Sequence, residues 1–270
     1  GQGNDSIAIT AGAVQVTQIY GGKNADTIRI SAAAAHTQTT IQASDGHDLI
    51  SVSGTDSFLN GLIGAGKGND VIRMQSGAFG SIAGGGLSDT ITFSGNGAGG
   101  GIVYGDALGT TTVGTGTAGA ADGNDSISFS ANIIEGATTV FGGGGSDTIS
   151  FANAGASGVL RVDGGNGADM LGTTAMNLTG GTAGVGQSLI GGAGHDTLAF
   201  SNAYSGAIIS AGNGLDSIFV GGTGSTSVFG GAGNDTISFG TGLATSLANM
   251  ADLVTVVGGA GSDSIIFAQT

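Results

Sequence analysis

Twelve aspartates recur along the chain in matching surroundings: Asp5, Asp26, Asp48, Asp70, Asp89, Asp125, Asp147, Asp169, Asp196, Asp216, Asp235 and Asp263. Glycine stands four residues before the Asp in ten of the twelve copies and two residues before it in ten. Gly142-Gly143-Gly144-Gly145-Ser146-Asp147 and Gly230-Gly231-Ala232-Gly233-Asn234-Asp235 are the fullest examples. Glycine at both places permits positive φ, which can turn carbonyl oxygens toward a common centre rather than along a strand. Carboxylates from successive copies, joined by turn carbonyls near Gly143, Gly145, Gly165, Gly167, Gly192, Gly194, Gly212, Gly214, Gly231, Gly233, Gly259 and Gly261, would form an all-oxygen cage. A hard, tolerant cation of the Ca2+ type suits such a cage, whereas zinc or copper would call for His or Cys.

A plainer chemistry competes for the same residues. Each Asp could cap its turn by accepting backbone N–H groups, with glycine present only for tightness. Against this, stacked copies would bring carboxylates within about 5 Å of one another, and a row of like charges without counter-ions repels itself. Some copies are expected to be weak ligands. Ala43-Ser44-Asp45-Gly46-His47-Asp48 lacks the leading glycines, Leu87 replaces Gly before Asp89, and Ala120-Ala121-Asp122 opens the turn before Asp125. Several ions are therefore expected, fewer than the motifs or about equal to them.

Other chemistries find little support. His36, His47 and His195 fall in different repeats, and no Ser/His/Asp constellation can be assembled by spacing. The 19 acidic residues comprise eighteen Asp and one Glu, Glu135, so a paired-carboxylate glycosidase is poorly served. The chain is not expected to be an enzyme. It has no Cys, which removes disulfides, thiol nucleophiles and zinc-thiolate clusters. Lys23, Arg29, Lys67, Arg73 and Arg161 are the only cations against a net charge of −14, dispersed and without a basic stripe for nucleic acid. No apolar run is long enough to cross a membrane as a helix.

The elements that must carry the aspartates are legible from the same register. Their spacings are 21, 22, 22, 19, 36, 22, 22, 27, 20, 19 and 28 residues, a structural repeat with three insertions. Two residues after each Asp stands Ile or Leu, and four after it an apolar residue, often Phe, with Thr173 the exception. This period of two predicts a strand with one buried face. Seven residues before the Asp lies another apolar position, filled by Ile19, Ile41, Ile63, Ile82, Val140, Val162, Leu189, Ile209, Val228 and Val256; in the copy at Asp125 that position falls on Ala118 and fails. Each repeat thus reads as strand, glycine-rich turn, strand and a second small-residue turn. Two short strands bury a face only when coils stack.

The predicted fold is all-β: a parallel β-solenoid of about twelve coils spanning 1–270 as one domain, about 55 Å long at about 4.8 Å per coil, with the turn motifs along one edge. With no Pro in the chain, every strand N–H is available to the ladders. Insertions are expected near 105–121, 173–186 and 241–252, the last with a short helix at 243–250. The first insertion should enter the metal edge after Ile102-Val103-Tyr104, and the other two the opposite edge. The chain reads as part of a longer one, with flanking segments or a neighbouring molecule covering the end coils.

Gly191-Gly192-Ala193-Gly194-His195-Asp196-Thr197-Leu198-Ala199 and Gly258-Gly259-Ala260-Gly261-Ser262-Asp263-Ser264-Ile265-Ile266 resemble the Gly-Gly-x-Gly-x-Asp-x-(Ile/Leu)-x nonapeptide of the repeats-in-toxin (RTX) family. The resemblance covers essentially the whole chain. It implies a parallel β-roll with Ca2+ in the turns, type I secretion from Gram-negative bacteria, and folding after export into Ca2+-rich surroundings. RTX rolls place nonapeptides in tandem; here one occurs per 20-odd residues, so a single edge should be a metal ladder.

Three functional classes are set beside one another. The first is an extracellular structural repeat at the bacterial cell surface, building a surface layer or filament with copies of itself or with flanking domains. The second is an adhesin using the outward pairs Thr90/Thr92, Ser126/Ser128, Thr148/Ser150 and Thr236/Ser238 on glycan, ice or a cell surface, cell-surface polysaccharide among them. The third is an accessory RTX module of a secreted enzyme or toxin. The structural reading is preferred, because Gly/Thr/Ala-rich, Cys-free, acidic repeats with sparse RTX turns resemble surface-layer proteins.

Overall fold

A computed structural model describes residues 1–10, 18–31, 39–53, 58–75, 79–95, 100–106, 122–130, 133–134, 137–151, 155–156, 159–172, 187–200, 206–221, 226–240 and 255–268. The insertions around 107–121, 173–186 and 241–254, with the expected helix, lie outside the described residues, as does most of the edge opposite the aspartates, including His36. The cores of two strand sets follow the repeat. Those after each Asp, from Ser6–Ile9 to Ser264–Phe267, form a 12-stranded sheet, and those before it, from Gln18–Lys23 to Thr255–Ala260, an 11-stranded sheet. All pairings are parallel, and each strand pairs with its counterpart in the next coil. The chain is an all-β parallel solenoid.

The period of two explains the core. Ile28, Ile50, Ile72, Ile91, Ile127 and Ile149, two residues after their aspartates, are all fully buried. They pack across the interior against the apolar residues seven before the Asp, such as Val140 and Val162. Parallel in-register stacking places like on like, so Phe93, Phe129 and Phe151 form a column with ring centroids 4.4 and 4.8 Å apart. Burying such a side chain is worth about 2–3 kcal/mol, and a stacked aromatic pair adds about 1 kcal/mol. The exception expected at Thr173 has a structural counterpart: the strand after Asp169 is cut to Met170–Leu171.

One sequence expectation is overturned. The coil of Asp125 does not lose its buried residue to Ala118. Val103 takes that place, fully buried and in register with Ile82 before it and Val140 after it. Counting back from Asp125 misses it because the insertion lies between them. The strand Ile102–Asp106 ends in the turn, and the chain re-enters that turn at Asp122, so the insertion opens from the aspartate edge, as expected.

Candidate metal edge

At ten of the twelve turns the chain passes two residues of positive φ and enters the 12-stranded sheet at the Asp. Gly143 and Gly145 show φ of 118° and 105°, and Gly165 and Gly167 show 106° and 128°. The copies lacking glycine adopt the same handedness, with Ser44 at 91°, Leu87 at 72° and Asn24 at 72°. Positive φ is therefore the common form of the turn, not seen among the described residues before Asp125 where the insertion opens it, and glycine meets it without strain.

Glycine has a second role that the sequence does not reveal. A Cβ on Gly167 would run into the carbonyl oxygen of Gly145 one coil below, and a Cβ on Gly165 into that of Gly143. The carbonyls of both glycine positions thus face the next coil's glycine. The turns also pair along the stack: Gly167 N–H donates to Ala193 O and Gly194 N–H to Asn213 O, at 2.7 and 2.8 Å.

The aspartates turn inward. Asp26, Asp48, Asp70, Asp89, Asp125, Asp147, Asp169, Asp196, Asp216 and Asp235 are only 1–3% exposed. In each, Oδ1 accepts the backbone N–H of the Asp one coil earlier: Asp125 N–H donates to Asp147 Oδ1 and Asp147 N–H to Asp169 Oδ1, both at 2.8 Å. The series runs from Asp5 N–H on Asp26 to Asp235 N–H on Asp263. The capping chemistry is present, but its donor belongs to the neighbouring coil. At this corner the Asp N–H points along the stack, and the next carboxylate serves as its acceptor where a strand carbonyl serves elsewhere.

The second oxygen is different. Oδ2 of each of these ten aspartates is buried and has no hydrogen-bond partner. Burial pushes the carboxyl groups of Asp89, Asp125 and Asp147 up to about 8, against the lowering effect of the N–H each accepts and with neighbouring aspartates adding to the rise. Asp196 is raised to about 7 and Asp70 and Asp169 to about 6, again chiefly by burial, and Asp48 and Asp216 move the same way. A buried carboxylate left half-satisfied is costly unless a proton or a cation meets it.

The space before Oδ2 is shaped by the residue five places before the Asp. A Cβ on Gly164 would lie 2.5 Å from both Asp169 Oδ2 and Gly191 O of the next coil. A carboxylate oxygen and a carbonyl therefore face one small spot. In the coils of Asp48, Asp70 and Asp216 that residue is Ala43, Ala65 or Ala211, each fully buried, so a methyl stands there. In the glycine coils the carboxylate and a carbonyl of the next coil both pack against the bare α-carbon, an all-oxygen pair of the donor type a hard cation takes. Among the described residues no group of three or more His, Cys, Asp or Glu side chains gathers to hold a metal, so carbonyls would have to complete any such site.

Sequence reasoning missed a second ladder beside the first. Where the residue immediately before the Asp is Asn, Ser or His, its side chain accepts the backbone N–H of its counterpart one coil later in seven pairs of coils. Ser146 N–H donates to Asn124 Oδ1 at 2.7 Å, Ser262 N–H to Asn234 Oδ1 at 2.8 Å, and Leu215 N–H to His195 Nδ1 at 2.8 Å. Asn69 N–H likewise reaches His47 Nδ1. The two histidines are thus acceptors in a structural ladder. The signal was the recurrence of Asn, Ser and His at a place the motif leaves free. Asp106 and Asp122, flanking the insertion, add two carboxylates to this edge; Asp106 accepts Gly144 N–H at 2.7 Å and is raised by burial and by Asp122. Compared with protein-family models, curated proteins and solved structures, the chain finds no match in any of the three.

Proposed function

We propose that the chain is a Ca2+-stabilised extracellular structural repeat domain of RTX type, which assembles with copies of itself or with flanking domains into a bacterial surface layer or filament. The observation that carries this reading is the row of ten buried, unpartnered Oδ2 atoms, seven of them packed with a backbone carbonyl of the next coil against a glycine. Ca2+ would be held by these carboxylates, with turn carbonyls, in the coils where glycine fills that place: those of Asp26, Asp89, Asp147, Asp169, Asp196, Asp235 and Asp263, and that of Asp125, where Gly105 fills it from before the insertion. It would supply the charge that the buried carboxylates lack, so ion binding becomes folding free energy.

Without such compensation, stacked carboxylates that ionise destabilise the coil and favour an extended chain, a state suited to type I export. With it, the stack closes into a stiff rod whose regular surface suits assembly. The test is circular dichroism during Ca2+ titration of the chelated chain, with light scattering on the same samples. A gain of β-structure and of melting temperature on adding Ca2+, with scattering that rises beside it, is expected. A chain fully folded in chelator and unchanged by Ca2+ would overturn the metal reading and leave the aspartates as proton-bearing caps.

A further inference from the structure

The outer face of the 12-stranded sheet is made by the residues one and three after each Asp, with those five after it along its margin. None of these positions holds an Asp or a Glu in any of the twelve copies, although the chain has 19 acidic residues and a net charge of −14. The charged residues there are Arg29 and Arg73, both exposed. The ion pairs between described residues are Gly1 with Asp5, Lys67 with Asp45 and Arg161 with Asp163. Neither arginine therefore has a carboxylate partner among the described residues.

The two arginines are also in line. Parallel register sets Arg29 beside Ser51 and Ser51 beside Arg73, and the same row continues through Thr92, Ser128 and Ser150. Coils about 4.8 Å apart put the arginines about 10 Å from one another along a straight row of hydroxyls. One coil is close to the rise of one sugar in an extended polysaccharide. A glycan lying along the rod thus meets a new side chain with every sugar and an arginine with every second one. Guanidinium groups hold carboxylates through two parallel hydrogen bonds, and Ser51 and Thr92 offer hydroxyls to the sugars between and beyond them.

Resting on the cell-surface reading above, we propose that Arg29 and Arg73 bind a linear acidic polysaccharide with a carboxylate on every second sugar, laid along the rod over this row. The contact holds the repeat domain to an acidic glycan of the surface on which it assembles. Other anionic partners fit less well. Nucleic acid needs a longer run of cations and aromatic rings for its bases, and the row from Arg29 to Ser150 has two cations and no ring. A second copy offers no matching line of carboxylates, because ten of its turn aspartates are only 1–3% exposed.

The experiment is biolayer interferometry of the whole chain in Ca2+ on immobilised hyaluronan, whose uronate recurs at every second sugar, with carboxyl-reduced hyaluronan as the neutral control. Circular dichroism checks that each variant keeps its β-structure; Ser51 already holds the row between the arginines, so serine at either place suits the strand. Binding to hyaluronan should weaken about tenfold in Arg29→Ser and in Arg73→Ser, fall with added NaCl, and stay unchanged in Arg161→Ser on the other sheet. No binding to hyaluronan, equal binding to the reduced polymer, or binding kept in the double variant Arg29→Ser with Arg73→Ser overturns the proposal. Light scattering without polysaccharide that drops in the double variant assigns the face to a second copy and overturns it too. Folding and scattering of the unaltered chain with Ca2+ are read separately: their presence beside failed glycan binding leaves the assembly reading standing, and their absence beside arginine-dependent binding overturns that reading and not this face.

Discussion

Asp169 Oδ1 accepts the backbone N–H of Asp147 at 2.8 Å, while the N–H of Asp169 itself donates to Asp196 Oδ1 at 2.9 Å. Each aspartate therefore completes the coil before it and depends on the coil after it. The side-chain ladder one residue earlier runs the other way, each acceptor serving the coil that follows. The turn edge is tied in both directions along the stack.

This dependence makes single substitutions specific. Asp147→Ala removes the acceptor of the Asp125 N–H and leaves a buried donor unpaired, which should cost about 1–3 kcal/mol. Asp147→Asn keeps an acceptor oxygen and should cost less in chelator, yet weaken the Ca2+ response. Asp45→Ala, at an exposed ion pair with Lys67 3.8 Å away, should stay within about 0.5 kcal/mol. Urea melts of the three variants, with and without Ca2+, check the order.

Stability in chelator should fall as pH rises. The raised carboxyls of Asp89, Asp125 and Asp147, near 8 when folded, hold their protons where the unfolded chain, at about 3.9 for Asp, has released them. Between those values the folded state binds more protons. The contribution is largest at low pH and is lost as pH climbs through 8. Thermal melts at pH 5, 7 and 9 in chelator should give a falling series, and Ca2+ should flatten it. A melting temperature that rises with pH in chelator would show that the buried carboxylates are stabilised as anions by something else.

Glycine at the turn should divide sharply from glycine on a strand. Gly167→Ala combines a φ of 128° with a clash against the Gly145 carbonyl and should cost about 3 kcal/mol or prevent folding. Gly64→Ala, on the strand Phe58–Lys67 with nothing within 4 Å of the added carbon, should be neutral or slightly stabilising. Thermal melts of the pair measure the difference.

The second ladder can be extended where it lapses. Ala168 and Leu215 stand at the acceptor position without an acceptor atom, so they give no side-chain hydrogen bond to the N–H groups of His195 and Asn234. Ala168→Asn and Leu215→Asn should each stabilise the rod by about 0.5–1 kcal/mol. Hydrogen exchange at His195 and Asn234 should slow accordingly, and unchanged exchange would refute the ladder's reach.

The sequence by itself determined the strands, the turns and the side of each strand that is buried. In a solenoid these are local properties repeated at a fixed period, and the alternation in Thr148-Ile149-Ser150-Phe151 or the spacing of Gly143, Gly145 and Asp147 is enough to set them. Only the tertiary structure decided what depends on the neighbouring coil. That Val103 rather than Ala118 fills the core before Asp125 follows from where the insertion leaves and re-enters the stack, which counting along the chain cannot tell. That Oδ1 is engaged by another coil and Oδ2 is stranded, or that Ser44 and Leu87 can stand in for glycine, follows from stacking geometry.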